Sequence, residues 1–178
     1  MKCEYKIIDN LLPESLAENI KRNLISHEFG QTFPWYYLDS VVSEKNKEND
    51  NLYNYQFTHL FYLNGAQTSP HLTLLQPIID YLNPEAIIKI KSNLNPRTNV
   101  RHTFEYHVDF ERKSSDRKTA IYYVNTNDGV TILEDGTEIE SVANRLLIFN
   151  QNTRHTGTTC TNQKIRCLIN LNYIEQSL

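Results

Sequence analysis

The chain has 178 residues, which is enough for one domain with a sizeable core and short for two. Its hydrophobic fraction of 39% and charged fraction of 22% are ordinary for a soluble globular protein, and its 11 tyrosines and 7 phenylalanines favour strands. The formal net charge of -3 argues against broad, non-specific nucleic-acid binding, which usually requires a strongly basic domain. We therefore expect one β-rich domain, either an enzyme or a binding module, with nucleic acid disfavoured as a partner.

The cysteines indicate a reducing compartment. Cys3, Cys160 and Cys167 are widely separated and form no CxxC pair, so neither a disulfide framework nor a zinc-thiolate site is indicated. The first residues contain no apolar run, and no stretch approaches the length of a membrane span. These features predict a cytoplasmic protein without a membrane partner.

The N-terminal part is predicted to begin with a short strand at residues 4–9 and an amphipathic helix at residues 13–29. The helix has Pro13 in its first turn, where proline is well tolerated. Its apolar residues recur at four-residue spacing, at Leu16, Ile20 and Leu24. The polar segment 43–51 then predicts a surface loop or, alternatively, a lid that orders over substrate.

A second strand and a second helical stretch follow. Residues 56–63 have the composition of a strand. Ser69 and Pro70 supply an N-cap residue and a proline at the first helical position, so a helix should run from there to about Leu82. Pro77 should kink or divide this helix, because an internal proline removes a hydrogen bond and clashes with the preceding turn.

From residue 87 onward the pattern changes to short strands. The predicted strands are residues 87–94, 102–110, 119–126, 130–133, 137–141, 145–150 and 164–174. They are separated by three turn signals, at Asn95-Pro96, Asn127-Asp128-Gly129 and Asp135-Gly136. Helices followed by a run of strands predict a mostly β, α+β fold in which N-terminal helices pack on one face of a sandwich or barrel.

The last predicted strand has two different faces. One face carries Ile165, Cys167, Ile169, Leu171 and Tyr173, and the other carries Arg166, Leu168, Asn170 and Asn172. The apolar face should pack on the helices. The other face places a guanidinium and two amides in the barrel interior, where buried polar groups need partners. A polar cavity with an anionic ligand would supply them.

The segment Tyr106-His107-Val108-Asp109 is the strongest candidate for metal chemistry. Alternate side chains of an extended segment leave on one face, so His107 and Asp109 should point into the same space and can chelate a metal. An isolated HxD is more often an ordinary hydrogen-bonded surface pair. A facial triad of two histidines and one carboxylate needs a further imidazole, and His155 is the best candidate for it.

The other histidines have simpler explanations. His27 lies near the end of the first helix, where a cation complements the helix dipole, and His71 lies at a helix start. His59 is expected to be a partly buried structural residue. His102 is five residues from His107, so in one uninterrupted strand it would face away from the metal pair.

The ordered set of His107-X-Asp109, then His155, then Arg166 resembles the iron(II)- and 2-oxoglutarate-dependent dioxygenases. That family has a double-stranded β-helix, a jelly-roll or cupin-like barrel, and carries an HxD…H triad followed by a basic residue. Residues 106–109 and 121–125 are similar to the metal-binding strand and the following Tyr-Tyr-aliphatic-Asn strand of its prolyl-hydroxylase-like branch. Small oxygenases encoded by bacteriophages are a weaker resemblance. The similarity implies a single dioxygenase domain over residues 1–178, with a support region at 1–86 and a catalytic core at 87–174.

The resemblance also implies roles for individual residues. His107, Asp109 and His155 would bind iron(II) as the catalytic triad and leave positions for 2-oxoglutarate and dioxygen. Arg166 would hold the far carboxylate of 2-oxoglutarate, with a hydroxyl hydrogen bond from Tyr123 and a further contact from Asn93. The expected reaction is hydroxylation of an unactivated C–H bond, coupled to decarboxylation of 2-oxoglutarate to succinate and carbon dioxide. Ascorbate is expected to stimulate it.

Departures from the family pattern bear on the substrate. The prolyl-hydroxylase branch often has a tyrosine upstream of HxD, where this chain has Lys91-Ser92-Asn93-Leu94. Alkylated-base demethylases have a second arginine where this chain has Asn172, and the related halogenases lack the carboxylate that Asp109 provides. Peptidyl proline is the substrate that the family suggests. The alternatives are hydroxylation of a small molecule or a nucleotide, or a non-catalytic, cupin-like metal-binding sensor module.

A basic cluster surrounds the HxD segment and consists of Arg97, Arg101, Arg112, Lys113, Arg117 and Lys118. Solvated loop charges are the simpler interpretation. The alternative is that the cluster attracts an anionic substrate to the mouth of the site. Residues 113–117 are further interpreted as a flexible rim.

Overall fold

The computed structural model of the protein describes residues 2–25, 33–41, 52–109 and 116–176. The helices are α1 (Glu14–Ile25) and α2 (Gln76–Leu82), with a 3-10 helix at Pro70–Leu75 directly before α2. The strands are β1 (Tyr5–Ile8), β2 (Tyr36–Leu38), β3 (Gln56–Leu63), β4 (Ala66–Gln67), β5 (Ala86–Pro96), β6 (Arg117–Tyr123), β7 (Asn127–Leu133), β8 (Glu138–Ser141), β9 (Arg145–Asn150), β10 (His155–Gly157) and β11 (Ile165–Ile174). No helix in these ranges has the length and apolar character needed to cross a membrane.

Two antiparallel sheets contain these strands. The main sheet has the order β1-β9-β6-β11-β5-β3-β2, with β4 paired to β3, and the small sheet has the order β10-β7-β8. The N-terminal strands β1 to β4 therefore extend the main sheet at both sides. Its centre is formed by β6, β11 and β5.

The helices cover one face of the main sheet. Ile20 and Leu24 of α1 and Ile78 of α2 are buried in one hydrophobic core together with the apolar side chains of the central strands. Burial of such a side chain contributes about 1.5–3 kcal/mol to stability, so this stripe of apolar residues rather than helix propensity holds α1 in place. Leu16, the first residue of the predicted stripe, remains 39% exposed.

Proline and serine divide the second helical stretch as expected. Ser69 is the N-cap, and its hydroxyl accepts a hydrogen bond from the backbone N–H of His71. Pro77 occupies one of the first two positions of α2, and the preceding turn is a 3-10 helix. The predicted division at Pro77 is confirmed, because a proline is compatible with the first turn of a new helix but not with the interior of a continuous one.

The opposite face of the main sheet packs on the small sheet. This second core contains Ile121, Tyr123, Leu133, Ile139, Leu147, Phe149 and Leu168. β11 contributes to both layers: Cys167, Ile169, Leu171 and Tyr173 lie in the core under the helices. Leu168 faces the small sheet, so the alternation predicted for the last strand is confirmed. The predicted architecture, mostly β with helices on one face, is confirmed as well.

The segment 102–109 is not the regular strand that was predicted. Thr103 pairs with Thr158 and His107 pairs with His155, each in an isolated bridge. The bridging positions are four residues apart in the segment 102–109 but three residues apart in the segment that it pairs with. The segment 102–109 therefore has one extra residue, which interrupts the pairing as in a β-bulge. The HxD motif is thus held by a bridge to β10 rather than by a continuous ladder. Phe110 lies outside the described residues.

Two of the three predicted turns are wrong. Asn95-Pro96 is the end of β5 and Asn127-Asp128-Gly129 is the start of β7. Pro96 is the last residue of its strand, where its missing N–H interrupts little of the ladder. Asn127 donates to Asn125 O, and its Oδ1 accepts an Asx-type hydrogen bond from Gly129 N. The ladder to β8 accordingly shifts register between Asn127 and Val130. The turn at Asp135-Gly136 is confirmed, and Gly136 has the positive φ of 85° that the turn requires.

The remaining differences are at the ends of elements and in short strands. The strand predicted at 119–126 is shifted to Arg117–Tyr123, and the strand predicted at 130–133 begins earlier, at Asn127. The strands β2, β4 and β10 were not predicted, since two or three residues are too few for an alternating pattern to be visible. The described part of the first helix ends at Ile25, and the rest of its predicted range lies outside the described residues.

Candidate metal centre and anion pocket

A narrow cavity of about 70 Å³ lies between the two sheets. Paired residues of β11 and β5 form its wall on the main sheet. Their register places Arg166 opposite Asn95, Leu168 opposite Asn93 and Asn170 opposite Lys91. Its lining residues are Val41, Gln56, Lys91, Asn93, Asn95, Phe104, His107, Asp109, Ile121, Thr131, His155, Thr156, Gly157, Arg166, Leu168 and Asn170.

The three predicted metal ligands come together in this cavity. One ligand atom from each of His107, Asp109 and His155 lies within 4.8 Å of the others. The bridge between His107 and His155 brings them together, because each backbone N–H donates to the carbonyl of the other residue at 2.9 Å. As a result the two imidazole centroids are 4.6 Å apart, and His107 Nε2 is 4.0 Å from Asp109 Oδ1.

Backbone carbonyls orient both imidazoles. Nδ1 of His155 lies 3.1 Å from Thr153 O, and Nδ1 of His107 lies 3.3 Å from Glu105 O. A proton on each Nδ1 would donate to the carbonyl, which leaves Nε2 as the free lone pair for a metal. Burial lowers the pKa of His107, with a further lowering by His155, so the neutral form that binds metals is favoured.

The carboxylate of Asp109 is fixed through one of its two oxygens. Oδ2 accepts hydrogen bonds from Thr119 Oγ1 at 2.8 Å and from Asn172 Nδ2 at 2.7 Å. Burial alone would raise the pKa of Asp109, but the electrostatic influence of the His155 and Lys89 side chains and the Asn172 hydrogen bond outweighs it and lowers the pKa to about 2. Asp109 is therefore ionised, with Oδ1 available for a metal.

Thr119 and Asn172 were missed as positioning residues. They face each other in the register of β6 and β11, on the side of the main sheet that carries Arg166. The sequence did contain a signal for them, because residues an even number of positions apart in a strand lie on the same face. Thr119 is four residues from Tyr123, and Asn172 is six residues from Arg166.

Arg166 is a buried cation without an acidic partner. Its side chain is 2% exposed, and within the described residues its guanidinium donates to the hydroxyls of Ser141 at 3.0 Å and Thr131 at 3.1 Å. Among the residues that the structure describes, no carboxylate forms an ion pair with it. An unpaired buried charge costs several kcal/mol, and an anionic ligand would relieve that cost.

Two glycines make room for this guanidinium. A Cβ at Gly129 would lie 2.5 Å from Arg166 Cδ, and a Cβ at Gly157 would lie 3.1 Å from Arg166 Nη1. Gly129 is thus required for a close approach and not for a turn. Because Gly157 is two residues from His155 along β10, the guanidinium lies roughly 7 Å from the metal group along this wall, a span suited to a small dicarboxylate.

We predict that Gly129→Ala displaces Arg166 and lowers the affinity for 2-oxoglutarate, the anion implied by the family resemblance, by about tenfold or more. The added methyl group should also cost about 1–3 kcal/mol of unfolding free energy by overpacking. Equilibrium titration with 2-oxoglutarate and chemical denaturation measure the two effects separately. Gly136→Ala is the control, because no atom lies within 4 Å of its Cβ although its φ of +85° is strained. It should lose about 1 kcal/mol of stability and no affinity. Parent-like affinity in Gly129→Ala would show that this packing does not support the anion site.

Tyr123 and Asn93 occupy different positions relative to the cavity. Tyr123 is buried and does not line it; its hydroxyl donates to Thr131 Oγ1 at 2.8 Å, and Arg166 donates to the same oxygen. Since Thr131 Oγ1 accepts two hydrogen bonds, its own proton is available to a ligand, and any effect of Tyr123 would pass through Thr131. Asn93 lines the cavity, and its Oδ1 is buried with no hydrogen-bond partner among the residues that the structure describes.

The other described histidines lie outside the metal group. His59 is hydrogen bonded through both ring nitrogens, to Pro34 O at 2.7 Å and to Ser69 Oγ at 2.7 Å. His71 lies in the 3-10 helix, and the ring of His102 stacks on Tyr53 at 4.0 Å. His27 lies outside the described residues.

The described members of the predicted basic cluster do not line the cavity. Arg101 donates to Asp128 O and lies 3.9 Å from Glu138, and Lys118 pairs with Glu175 at 3.2 Å. The remaining predictions, which concern Arg112, Lys113, the segment 43–51 and residues 113–115 of the rim, lie outside the described residues. Lys91, for which the sequence predicted no role, lines the cavity.

By sequence the chain matches no protein-family model and no curated protein. Its structure is similar to a prolyl hydroxylase of Trichoplax adhaerens in complex with a hypoxia inducible factor peptide fragment, with 16% identity, a TM-score of 0.66, and coverage of 96% of this chain and 83% of that one. It is similar to the non-heme alpha-ketoglutarate-dependent epimerase SnoN from nogalamycin biosynthesis, with 13% identity, a TM-score of 0.65, and coverage of 97% and 78%. It also resembles a 2OG-Fe(II) oxygenase family protein from Burkholderia pseudomallei, with 10% identity, a TM-score of 0.63, and coverage of 95% and 84%.

These likenesses concern the fold. Identities between 10% and 16% leave the side chains largely independent, so the shared property is the double-stranded β-helix. The predicted resemblance to 2-oxoglutarate oxygenases is confirmed at that level.

Proposed function

We propose that the protein is an iron(II)- and 2-oxoglutarate-dependent dioxygenase that hydroxylates an unactivated C–H bond and converts 2-oxoglutarate to succinate and carbon dioxide. The observation that supports this most strongly is one cavity that contains both a group of two histidines and one aspartate and a buried arginine that no described carboxylate pairs with. The first is the donor set of non-heme iron(II) oxygenases, and the second suits a carboxylate.

The residues present fit these groups. Nε2 of His107, Nε2 of His155 and Oδ1 of Asp109 would hold the iron, and Arg166 with the hydroxyl of Thr131 would hold the far carboxylate of 2-oxoglutarate. When bound, iron with 2-oxoglutarate and dioxygen supplies the oxidising power for C–H cleavage. The hydrogen bonds from Thr119 and Asn172 would keep Asp109 in place during turnover. Phe104, Ile121 and Leu168 add apolar lining that limits water near the metal.

Two substrate classes differ in what supports them. The Trichoplax adhaerens neighbour is in complex with a peptide, which supports a peptidyl substrate such as proline. The SnoN neighbour comes from nogalamycin biosynthesis, which supports a small molecule. A non-catalytic sensor would keep the metal group, but it would not need an arginine buried without a counter-charge. We further propose that the protein acts in the cytoplasm and that ascorbate stimulates it.

Anaerobic titration with iron(II) and then 2-oxoglutarate tests the assignment. The expected result is the weak visible charge-transfer band of the iron chelate of 2-oxoglutarate. Protein that contains iron but gives no band would contradict the cosubstrate. Addition of oxygen and ascorbate should then release succinate, whereas a band without succinate, even when peptides and metabolites are supplied, would favour the sensor.

A further inference from the structure

The proposed function leaves the lysine in the cavity without a role. Resting on that function, we infer that Lys91 binds an anionic group of the substrate, a carboxylate or a phosphate, close to the metal. The substrate class would then be a small acid rather than an uncharged peptidyl proline.

The position of Lys91 places it at the metal end of the cavity. Lys91 opposes Asn170 on β11, two residues from Asn172, whose amide holds Asp109. Asn95, which opposes Arg166, is four residues away, or roughly 13 Å along β5. The wall of the cavity therefore carries two cations at different positions along the strands. Arg166 suits the far end of 2-oxoglutarate, and Lys91 remains for a different anion.

The charges of the cavity leave one cation uncompensated. Among the described residues, its charged lining side chains are Lys91, Asp109 and Arg166, which together carry one positive charge when the histidines are neutral. The two charges of iron(II) cancel the two carboxylates of 2-oxoglutarate, so the same positive charge remains in the loaded site. A substrate with one negative group would neutralise it.

No described residue neutralises Lys91. Within the described ranges the lysine has no ion pair or hydrogen bond. Burial, together with repulsion from Lys89, lowers the pKa of Lys91 to about 8, and the opposing attraction of Asp109 is weaker. The ammonium is thus desolvated without an effective counter-charge, which is the condition that an anionic ligand relieves.

Neighbouring amides complete the argument for a polar ligand. Oδ1 of Asn170, across the strand pair from Lys91, and Oδ1 of Asn93, two residues along β5, are both buried and have no hydrogen-bond partner in the described part of the chain. An acid that also carries a hydroxyl or an amine could donate to these oxygens while its anion meets the ammonium. The ring of a peptidyl proline has neither a charge nor a donor.

Paramagnetic relaxation with two minimal anions tests the inference without turnover. The protein is loaded with manganese(II) and saturated with 2-oxoglutarate, and the relaxation of acetate (13C) and inorganic phosphate (31P) is measured. An anion held by Lys91 lies close to the metal and should relax faster than in a metal-free control. The anion that responds identifies the source, carboxylate or phosphate.

Three variants make the result specific. Lys91→Met should reduce the affinity for the responding anion by about tenfold or more, because it removes a charged donor, and Lys91→Arg should retain it. Lys118→Met is the control, since Lys118 is a cation outside the cavity that pairs with Glu175. Lys118→Met should bind the responding anion with the affinity of the parent.

The outcomes separate this inference from the proposed function. If manganese does not relax 2-oxoglutarate itself in the parent, the proposed function fails. If it does but neither acetate nor phosphate responds, or if Lys91→Met binds them like the parent, the inference is overturned. A large loss of 2-oxoglutarate affinity in Lys91→Met also overturns it, because the ammonium would then belong to the cosubstrate.

Discussion

Replacing His155 by alanine is expected to lower the affinity for iron(II) by at least about 100-fold and to abolish 2-oxoglutarate turnover. Loss of a residue that only orients a metal-binding side chain typically lowers metal affinity 10–100-fold, and loss of the metal-binding side chain itself should lower it further. His155 is 4% exposed and contributes its imidazole from the three-residue strand β10. The measurements are metal content after dialysis and the iron(II)-dependent rise in melting temperature.

The variant His102→Ala is the matched control. His102 is the histidine nearest in sequence to the HxD motif, but it stacks on Tyr53 and belongs to no metal group among the described residues. It should bind iron like the parent. The bridge between His107 and His155 uses backbone atoms, so His155→Ala should retain its fold, which far-ultraviolet circular dichroism can check. Undiminished iron affinity in a folded His155→Ala protein would remove His155 from the metal centre.

Strand alternation predicted much of this cavity because it is a local property. The side chains of β11 alternate between the two layers whatever strand lies beside them, so Arg166 and Asn170 could be assigned to the interior without knowledge of the register. The same reasoning predicted that His107 and Asp109 share one space. That prediction survives the loss of the regular strand, because an extended backbone with a bulge further upstream still places residues two apart on one side.

Other contacts were not predictable because they depend on long-range geometry. Asn172 reaches Asp109 only because the bulged segment 102–109 crosses the sheet where it does, and the bulge is set by pairing with β10. Which face of β5 looks into the cavity, and hence whether Lys91 or Ile90 lines it, is decided by its pairing with β11. Neither choice is encoded in a local pattern.

The glycine at position 129 is compatible with two different local structures, a turn and a strand that another side chain approaches closely. Asn-Asp-Gly is a strong turn signal, but the absence of a side chain at Gly129 is used here to admit Arg166. A glycine that permits a close approach and a glycine that permits a positive φ look identical in sequence. Only the position of the arginine distinguishes them.

Replacing Arg166 by methionine is expected to abolish measurable 2-oxoglutarate binding while leaving the unliganded protein about as stable as the parent. Methionine keeps most of the length of the buried side chain and removes its charge. A buried cation that donates only to neutral hydroxyls contributes little to folding, and its replacement by an apolar side chain of similar volume is often neutral or stabilising. A structural arginine would instead lose several kcal/mol on substitution.

The ligand-induced stabilisation separates these two roles. With 2-oxoglutarate at 100 times its dissociation constant, the parent should gain about 2.7 kcal/mol of unfolding free energy in the presence of metal, and Arg166→Met should gain almost none. Arg145→Met is the control, because Arg145 pairs with Asp9 at 2.6 Å near the surface. It should lose up to about 1 kcal/mol of stability and keep the full gain from 2-oxoglutarate. An Arg166→Met protein that is severely destabilised without ligand, yet still stabilised by 2-oxoglutarate, would mean that Arg166 serves the fold and that another cation of the cavity holds the cosubstrate.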